Sequence, residues 1–116
     1  MSIWKNLFGT VPTITVTELQ DKLRQKPGPI LVDVRTTTEY RNGHINGADS
    51  IPLEKLEERF GKLSKNREII CICQSGSRSK RAARQLQNAG FTAVNLKGGM
   101  NAWAKEGLST KVGKVK

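Results

Sequence analysis

Glu68-Ile-Ile-Cys-Ile-Cys73-Gln-Ser-Gly-Ser77-Arg-Ser79-Lys-Arg-Ala-Ala-Arg84 is the stretch on which the reading of this chain turns. An apolar run of strand length, Ile69 to Cys73, stops at small polar residues, and a helix beginning near Ser79 follows. In that helix Ala82, Ala83, Leu86 and Ala89 fall on one face, and Asn88-Ala-Gly90 supplies its stop. A strand, a tight loop and a helix in this order form the half-unit of a parallel sheet. In such sheets ligands gather beyond the carboxyl ends of the strands, where helix N-termini present unpaired N–H groups. Cys73 falls at that end. Ser75, Gly76 and Ser77 are small enough for the loop to curl and aim several amides at one atom.

Working outward, the same alternation recurs. Thr13 to Thr15 reads as an edge strand, and Thr17 as the cap of a helix with Leu19 and Leu23 on one face, ended by Pro27-Gly28-Pro29. Ile30 to Val34 is a run of β-formers suited to burial on both faces, with Asp33 the exception that needs partners. Thr36, Thr37 or Thr38 starts a brief helix through Glu39 to Arg41, Asn42-Gly43 turns the chain, and a short strand lies near Ala48 to Ile51. After Pro52, the spacing of Leu53, Leu56, Phe60 and Leu63 predicts an amphipathic helix. Ala93 to Leu96 is the last strand, Gly98-Gly99 breaks the chain, and Met100, Trp103 and Ala104 share the face of a closing helix. The pattern is that of one α/β domain with a mainly parallel sheet. It divides into an apolar N-terminal segment over 1–12, the domain over 13–108, and a basic, flexible tail over 109–116.

At 116 residues the chain suits a single core that needs neither a disulfide nor a metal. The two cysteines, Cys71 and Cys73, are two apart on one strand, which disfavours a disulfide between them. Cys71 reads as core. One Cys-x-Cys and the single His44 do not make a metal site, and His44 reads as a turn-stabilising residue. No apolar run reaches membrane-spanning length, and Lys5 interrupts the first apolar stretch, so the expectation is a cytoplasmic protein without a secretory signal. Ile3, Trp4, Leu7 and Phe8 stand at helical spacing, as in a helix packed on the domain or on another subunit. The formal charge of +10 favours anionic ligands. Scattered cations, few aromatics and the lack of a recognisable module argue against nucleic acid as the partner.

A cysteine at a helix N-terminus among cations is acidified and nucleophilic, so Cys73 with its loop reads as a reactive thiol rather than an inert strand-end cysteine. Arg78, Lys80, Arg81 and Arg84 add positive potential.

Four ordered motifs then carry a resemblance. Leu31-Val-Asp-Val-Arg35 with Glu39 and Tyr40, Gly43-His-Ile-Asn-Gly-Ala48 leading to Ile51-Pro52, Cys73-Gln-Ser-Gly-Ser-Arg-Ser79, and Leu96-Lys-Gly-Gly99 with Trp103 resemble the rhodanese family from about Val16 to Gly107. The resemblance implies a three-layer fold with a five-stranded, mostly parallel sheet flanked by helices. It implies that Cys73 is the catalytic residue and carries a persulfide, cradled by the loop Gln74, Ser75, Gly76, Ser77, Arg78 and Ser79. It further implies that Asp33 bonds toward the loop and that Arg35 organises the site; the residues alone allow instead that Asp33 anchors backbone amides and that Arg35 pairs with Glu39. Phosphatases of this fold carry five residues between cysteine and arginine, whereas four stand here, Gln74 to Ser77, which resembles the sulfurtransferase form. The implied reaction moves sulfane sulfur from thiosulfate or a persulfide, a protein persulfide included, to cyanide, a thiol or a protein, without metal or organic cofactor. Two alternatives stay open: a non-catalytic module for partner docking or redox sensing, and a protein sulfur carrier in cofactor or tRNA sulfuration.

Overall fold

The computed structural model describes residues 10–113. The expected helix around Ile3, Trp4, Leu7 and Phe8 lies outside the described residues. Five strands form one all-parallel sheet in the order β1 (Thr13–Ile14), β5 (Ala93–Leu96), β4 (Ile69–Ile72), β2 (Ile30–Asp33), β3 (Asp49–Ser50). The three long strands are central and the two-residue strands form the edges, which keeps the exposed hydrogen-bonding rims short.

Helices cover both faces. On one lie α1 (Val16–Leu23), α2 (Thr37–Arg41) and α4 (Gly99–Lys105); on the other lies α3 (Ser77–Asn88). The two-residue period of β4 decides which core each side chain joins. Ile70 and Ile72 meet Leu19, Tyr40, Leu96 and Trp103 on the first face. Ile69, Cys71 and Cys73 meet Ala82, Ala83, Leu86 and Phe91 on the second. Cys73 thus stands just past the carboxyl end of the central strand, on the side of α3.

Several local expectations change. Thr15, not Thr17, caps α1, because its hydroxyl accepts from the Glu18 amide while Glu18 returns a bond to the Thr15 amide. Leu19 is fully buried, but Leu23, in the last turn, is 39% exposed because the helix ends as it leaves the sheet. The segment after Pro52 forms two 3₁₀ turns, Leu53–Lys55 and Glu57–Lys62, in place of one α-helix. Only Leu56 in it is fully buried, and Leu53, Phe60 and Leu63 pack partly against the α3 core. Helix α3 starts at Ser77, two residues before expectation. In α4 Met100 and Trp103 face the core, while Ala104 is exposed. The basic tail is held at its start: Trp103 Nε1 donates to the Ser109 carbonyl at 2.9 Å, His44 and Lys111 form an antiparallel bridge, and Gly113 N–H donates to the Arg41 carbonyl. His44 is itself fixed, stacked on Tyr40 with ring centroids 3.6 Å apart and Nδ1 2.8 Å from the Tyr40 carbonyl oxygen.

Candidate functional site

The loop after β4 is shaped by one glycine and held from outside by α4. Gly76 takes φ +119°, a left-handed value that a side chain would strain, and this reverses the chain so that the first turn of α3 opens toward Cys73. Below the loop, the amides of Met100 and Asn101 donate to the carbonyls of Cys73 and Gln74 at 2.8 and 3.0 Å. Carbonyls are drawn outward by these bonds, which leaves amides to face the sulfur.

Cys73 is 1% exposed, and its Sγ accepts the Gly76 amide at 3.0 Å and lies 3.2 Å from Ser79 Oγ. Burial pushes its acidity toward the neutral thiol, but hydrogen bonds from the Ser79 hydroxyl and from the amides of Ser79, Gly76 and Ser75 outweigh it, so the pKa falls below the ordinary thiol value. Cys71, fully buried in the α3 core, is shifted the other way, first by burial and then by its neighbour Cys73. The two thiols, one on β4 and one just past its end, are thereby shifted in opposite directions.

The structure draws Asp33, Arg35 and Gln74 together beside the loop. Asp33 is fully buried and Arg35 is 3% exposed; Nη2 of Arg35 lies 2.8 Å and Nε 2.9 Å from the Asp33 carboxylate, which also accepts the Arg35 amide. The outer nitrogens of Arg35 reach the Gly43 carbonyl at 2.7 Å and Gln74 Oε1 at 3.1 Å, and Gln74 Nε2 donates to Asn101 Oδ1 at 2.6 Å. Asp33 therefore reaches the loop through Arg35 and not directly. Pairing within hydrogen-bond distance is what allows both charges to be buried. The alternative Arg35–Glu39 pair does not form, because Asp33 satisfies Arg35 and Glu39 turns to the loop arginine.

Arg78 and Glu39 make two parallel bonds, at 2.8 and 3.0 Å. Glu39 Oε1 also accepts the Thr36 amide and hydroxyl in the cap of α2. The Arg78 bonds, followed by those of the cap, hold the Glu39 carboxyl at about 2, against 4.5 for the free group, while burial opposes them. A lowered carboxyl pKa contributes stability above pH 4.5 that is lost as pH falls toward about 2. Glu39→Gln, which retains an acceptor for the cap, is expected to lower stability at neutral pH by about 1 kcal/mol, since the pair is partly exposed. Urea titrations across acidic pH should show the gap between variant and parent closing as pH falls.

Ser75, Gly76, Ser77, Lys80, Arg81 and Lys97 lie on the wall of a cleft of about 1070 Å³ that opens beside the loop. Among the described residues no group of three or more His, Cys, Asp or Glu side chains is placed to hold a metal ion.

Sequence reasoning did not single out Asn95, the one polar side chain in the apolar run of β5. It is 1% exposed, and its Oδ1 lies 2.5 Å from Ser79 Oγ. A lone amide in an otherwise apolar buried strand was the available signal.

The family model for the Rhodanese-like domain matches residues 15–106. The chain belongs to the rhodanese-like family. It is 35% identical over 99 residues to a sulfurtransferase of Allochromatium vinosum, covering 84% of this chain and 92% of that protein. It is 38% identical over 95 residues to the putative sulfur carrier protein YrkF of Bacillus subtilis, covering 81% of this chain and only 51% of that longer relative. The crystal structure of a rhodanese-like domain protein from Staphylococcus aureus superposes with a TM-score of 0.81 at 34% identity, covering 89% of this chain and 99% of that one. The expected rhodanese-like three-layer fold with its five parallel strands is thus borne out. Family and relatives alike associate this rhodanese-like chain with sulfur transfer in general.

Among the described residues, no helix is long and apolar enough to cross a membrane.

Proposed function

We propose that this protein is a sulfurtransferase in which Cys73 accepts a sulfane sulfur as a persulfide and passes it to a thiophilic acceptor. The observation that carries this reading is the setting of Cys73 Sγ, which receives the Gly76 amide at 3.0 Å, lies 3.2 Å from the Ser79 hydroxyl and has a lowered pKa. The loop Gln74 to Ser79 surrounds a single sulfur. Lys80, Arg81 and Lys97 on the adjoining cleft favour an anionic donor.

In the first half-reaction the Cys73 thiolate attacks the outer sulfur of thiosulfate. The sulfur–sulfur bond of the donor breaks, sulfite leaves with the electron pair, and Cys73 carries the persulfide. In the second, cyanide or a thiolate attacks the outer persulfide sulfur and the Cys73 thiolate departs unchanged. Charge resides on the terminal sulfur between the two steps, and the loop amides stabilise it without reorganising. Asp33 and Arg35 act from behind by fixing Gln74. Neither half requires a metal or an organic cofactor, and a reducing compartment such as the cytoplasm suits the two free cysteines.

A second reading, a sulfur carrier charged by a protein persulfide, is favoured by one feature: the Arg78 charge is engaged by Glu39, which weakens the attraction of the loop for a dianion such as thiosulfate.

Intact-mass measurement after incubation with thiosulfate should show one added sulfur, mapped to Cys73 by peptide fragmentation and removed by cyanide. Loading from a protein persulfide but not from thiosulfate selects the carrier reading. Loading from neither donor overturns sulfur transfer at Cys73.

A further inference from the structure

Ser79 Oγ sits among three acceptors but owns one proton. Cys73 Sγ is 3.2 Å away, the Gly76 carbonyl oxygen 3.1 Å and Asn95 Oδ1 2.5 Å. The hydroxyl can stabilise a thiolate only while its proton points at sulfur. What decides its direction is therefore part of the site.

With Cys73 as a thiol, the directions that satisfy the closest of these contacts are S–H donating to Ser79 Oγ and Ser79 O–H donating to Asn95 Oδ1. The Asn95 amide nitrogen faces Thr13 Oγ1 at 3.5 Å, and the Thr13 hydroxyl donates to the Val11 carbonyl at 3.3 Å. Once the thiol proton has left to solvent, sulfur can only accept, so Ser79 must turn its proton toward it. Asn95 Oδ1, in a residue 1% exposed, would then lose its donor. Turning the Asn95 amide over removes the conflict. The amide nitrogen then donates to Ser79 Oγ, Ser79 O–H donates to Cys73 Sγ, and Asn95 Oδ1 accepts from the Thr13 hydroxyl. In this arrangement the Ser79 hydroxyl, the Thr13 hydroxyl and one Asn95 N–H each have an acceptor. The one bond given up, Thr13 to Val11, lies at an exposed residue where water replaces it.

From this geometry we infer that Asn95 is a positioning residue, whose side-chain amide turns the Ser79 hydroxyl toward Cys73 when the sulfur is anionic. The inference rests on Cys73 being the sulfur-accepting residue, but its consequence belongs to the thiolate and precedes any transfer. Aspartate at this position offers only acceptors, so it retains the Ser79 proton and places a negative charge two groups from the sulfur. Leucine removes the donor with little change in size and leaves the Gly76 carbonyl to take the proton.

The test is the pH midpoint of thiolate formation at Cys73, read from ultraviolet thiolate absorbance in the reduced protein, for Asn95→Leu, Asn95→Asp, Ser79→Ala and the double variant Asn95→Leu with Ser79→Ala. Circular dichroism establishes folding, and Asn95→Asp stands in if Asn95→Leu does not fold. Asn95→Leu should raise the midpoint by roughly half to one unit, and Asn95→Asp by more than one. The double variant should match Ser79→Ala, because without the hydroxyl the amide has nothing to direct. A parental midpoint in folded Asn95→Leu or Asn95→Asp, or shifts that simply add in the double variant, overturns the inference. If the midpoints shift as expected while thiosulfate and protein persulfides fail to load Cys73, the positioning role holds and the sulfur-transfer reading alone fails.

Discussion

Cys73→Ser should reduce sulfur loading on the order of a thousandfold or more, to background in an intact-mass assay, while thermal stability changes by no more than about 1 kcal/mol. The serine oxygen can still accept the Gly76 amide and face Ser79, so the loop keeps its internal bonds. What disappears is the nucleophile. A serine hydroxyl does not ionise at neutral pH, and no base lies in its bonding shell, which consists of amides and the Ser79 hydroxyl. Cys71 does not substitute for it. Burial, the larger cause of its raised pKa, persists in the variant and favours the neutral thiol, and Cys71 belongs to the core between β4 and α3. Sulfur found on the folded Cys73→Ser protein would therefore mean that another group carries the chemistry.

Cys73 was legible in the sequence because its signals are local. A strand-length apolar run, three small residues and a helical apolar face stand within about twenty residues, and each is read by its period. The five-stranded sheet followed from the family resemblance, but its order was not read from the sequence, because periodicity cannot say that β5 inserts between β1 and β4. Other parts of the site were hidden because their partners are far apart in the chain. Arg78 meets Glu39 across 39 positions, and Arg35 meets Gln74 across another 39. Once Asp33 takes Arg35, Glu39 is released for Arg78; sequence spacing left the nearer Arg35–Glu39 pair open because it carries no information about burial. The segment after Pro52 failed for a different reason. Its apolar residues have helical spacing, but it bridges β3 to β4 along the edge of the α3 core, and only Leu56 is drawn fully in. A single anchored residue does not impose α-helical winding on the rest.

Gly99→Ala should destabilise the fold by about 3 kcal/mol or more and, in whatever fraction remains native, raise the pH at which Cys73 ionises. Two costs combine. Gly99 sits at φ +52°, where an added methyl group costs roughly 1–2 kcal/mol on its own. That methyl carbon would also overlap the Cys73 carbonyl oxygen and stand 2.9 Å from the Gln74 carbonyl carbon, so backbone must move. Its neighbours cannot yield cheaply, because the Met100 amide binds the same Cys73 carbonyl and the Asn101 amide binds that of Gln74. Displacing α4 breaks both bonds and releases the loop that aims its amides at sulfur. Gly47→Ala separates the two costs: Gly47 has φ +88° but open space within 4 Å, so it should lose only the conformational part, about 1 kcal/mol. Urea midpoints for the two variants, with thiolate absorbance on each, test the argument. Equal losses of stability would show that the close approach of α4 to the Cys73 carbonyl does not hold the loop; a larger loss at Gly99 together with a shifted Cys73 ionisation identifies the Gly98-Gly99 turn as the support beneath the site.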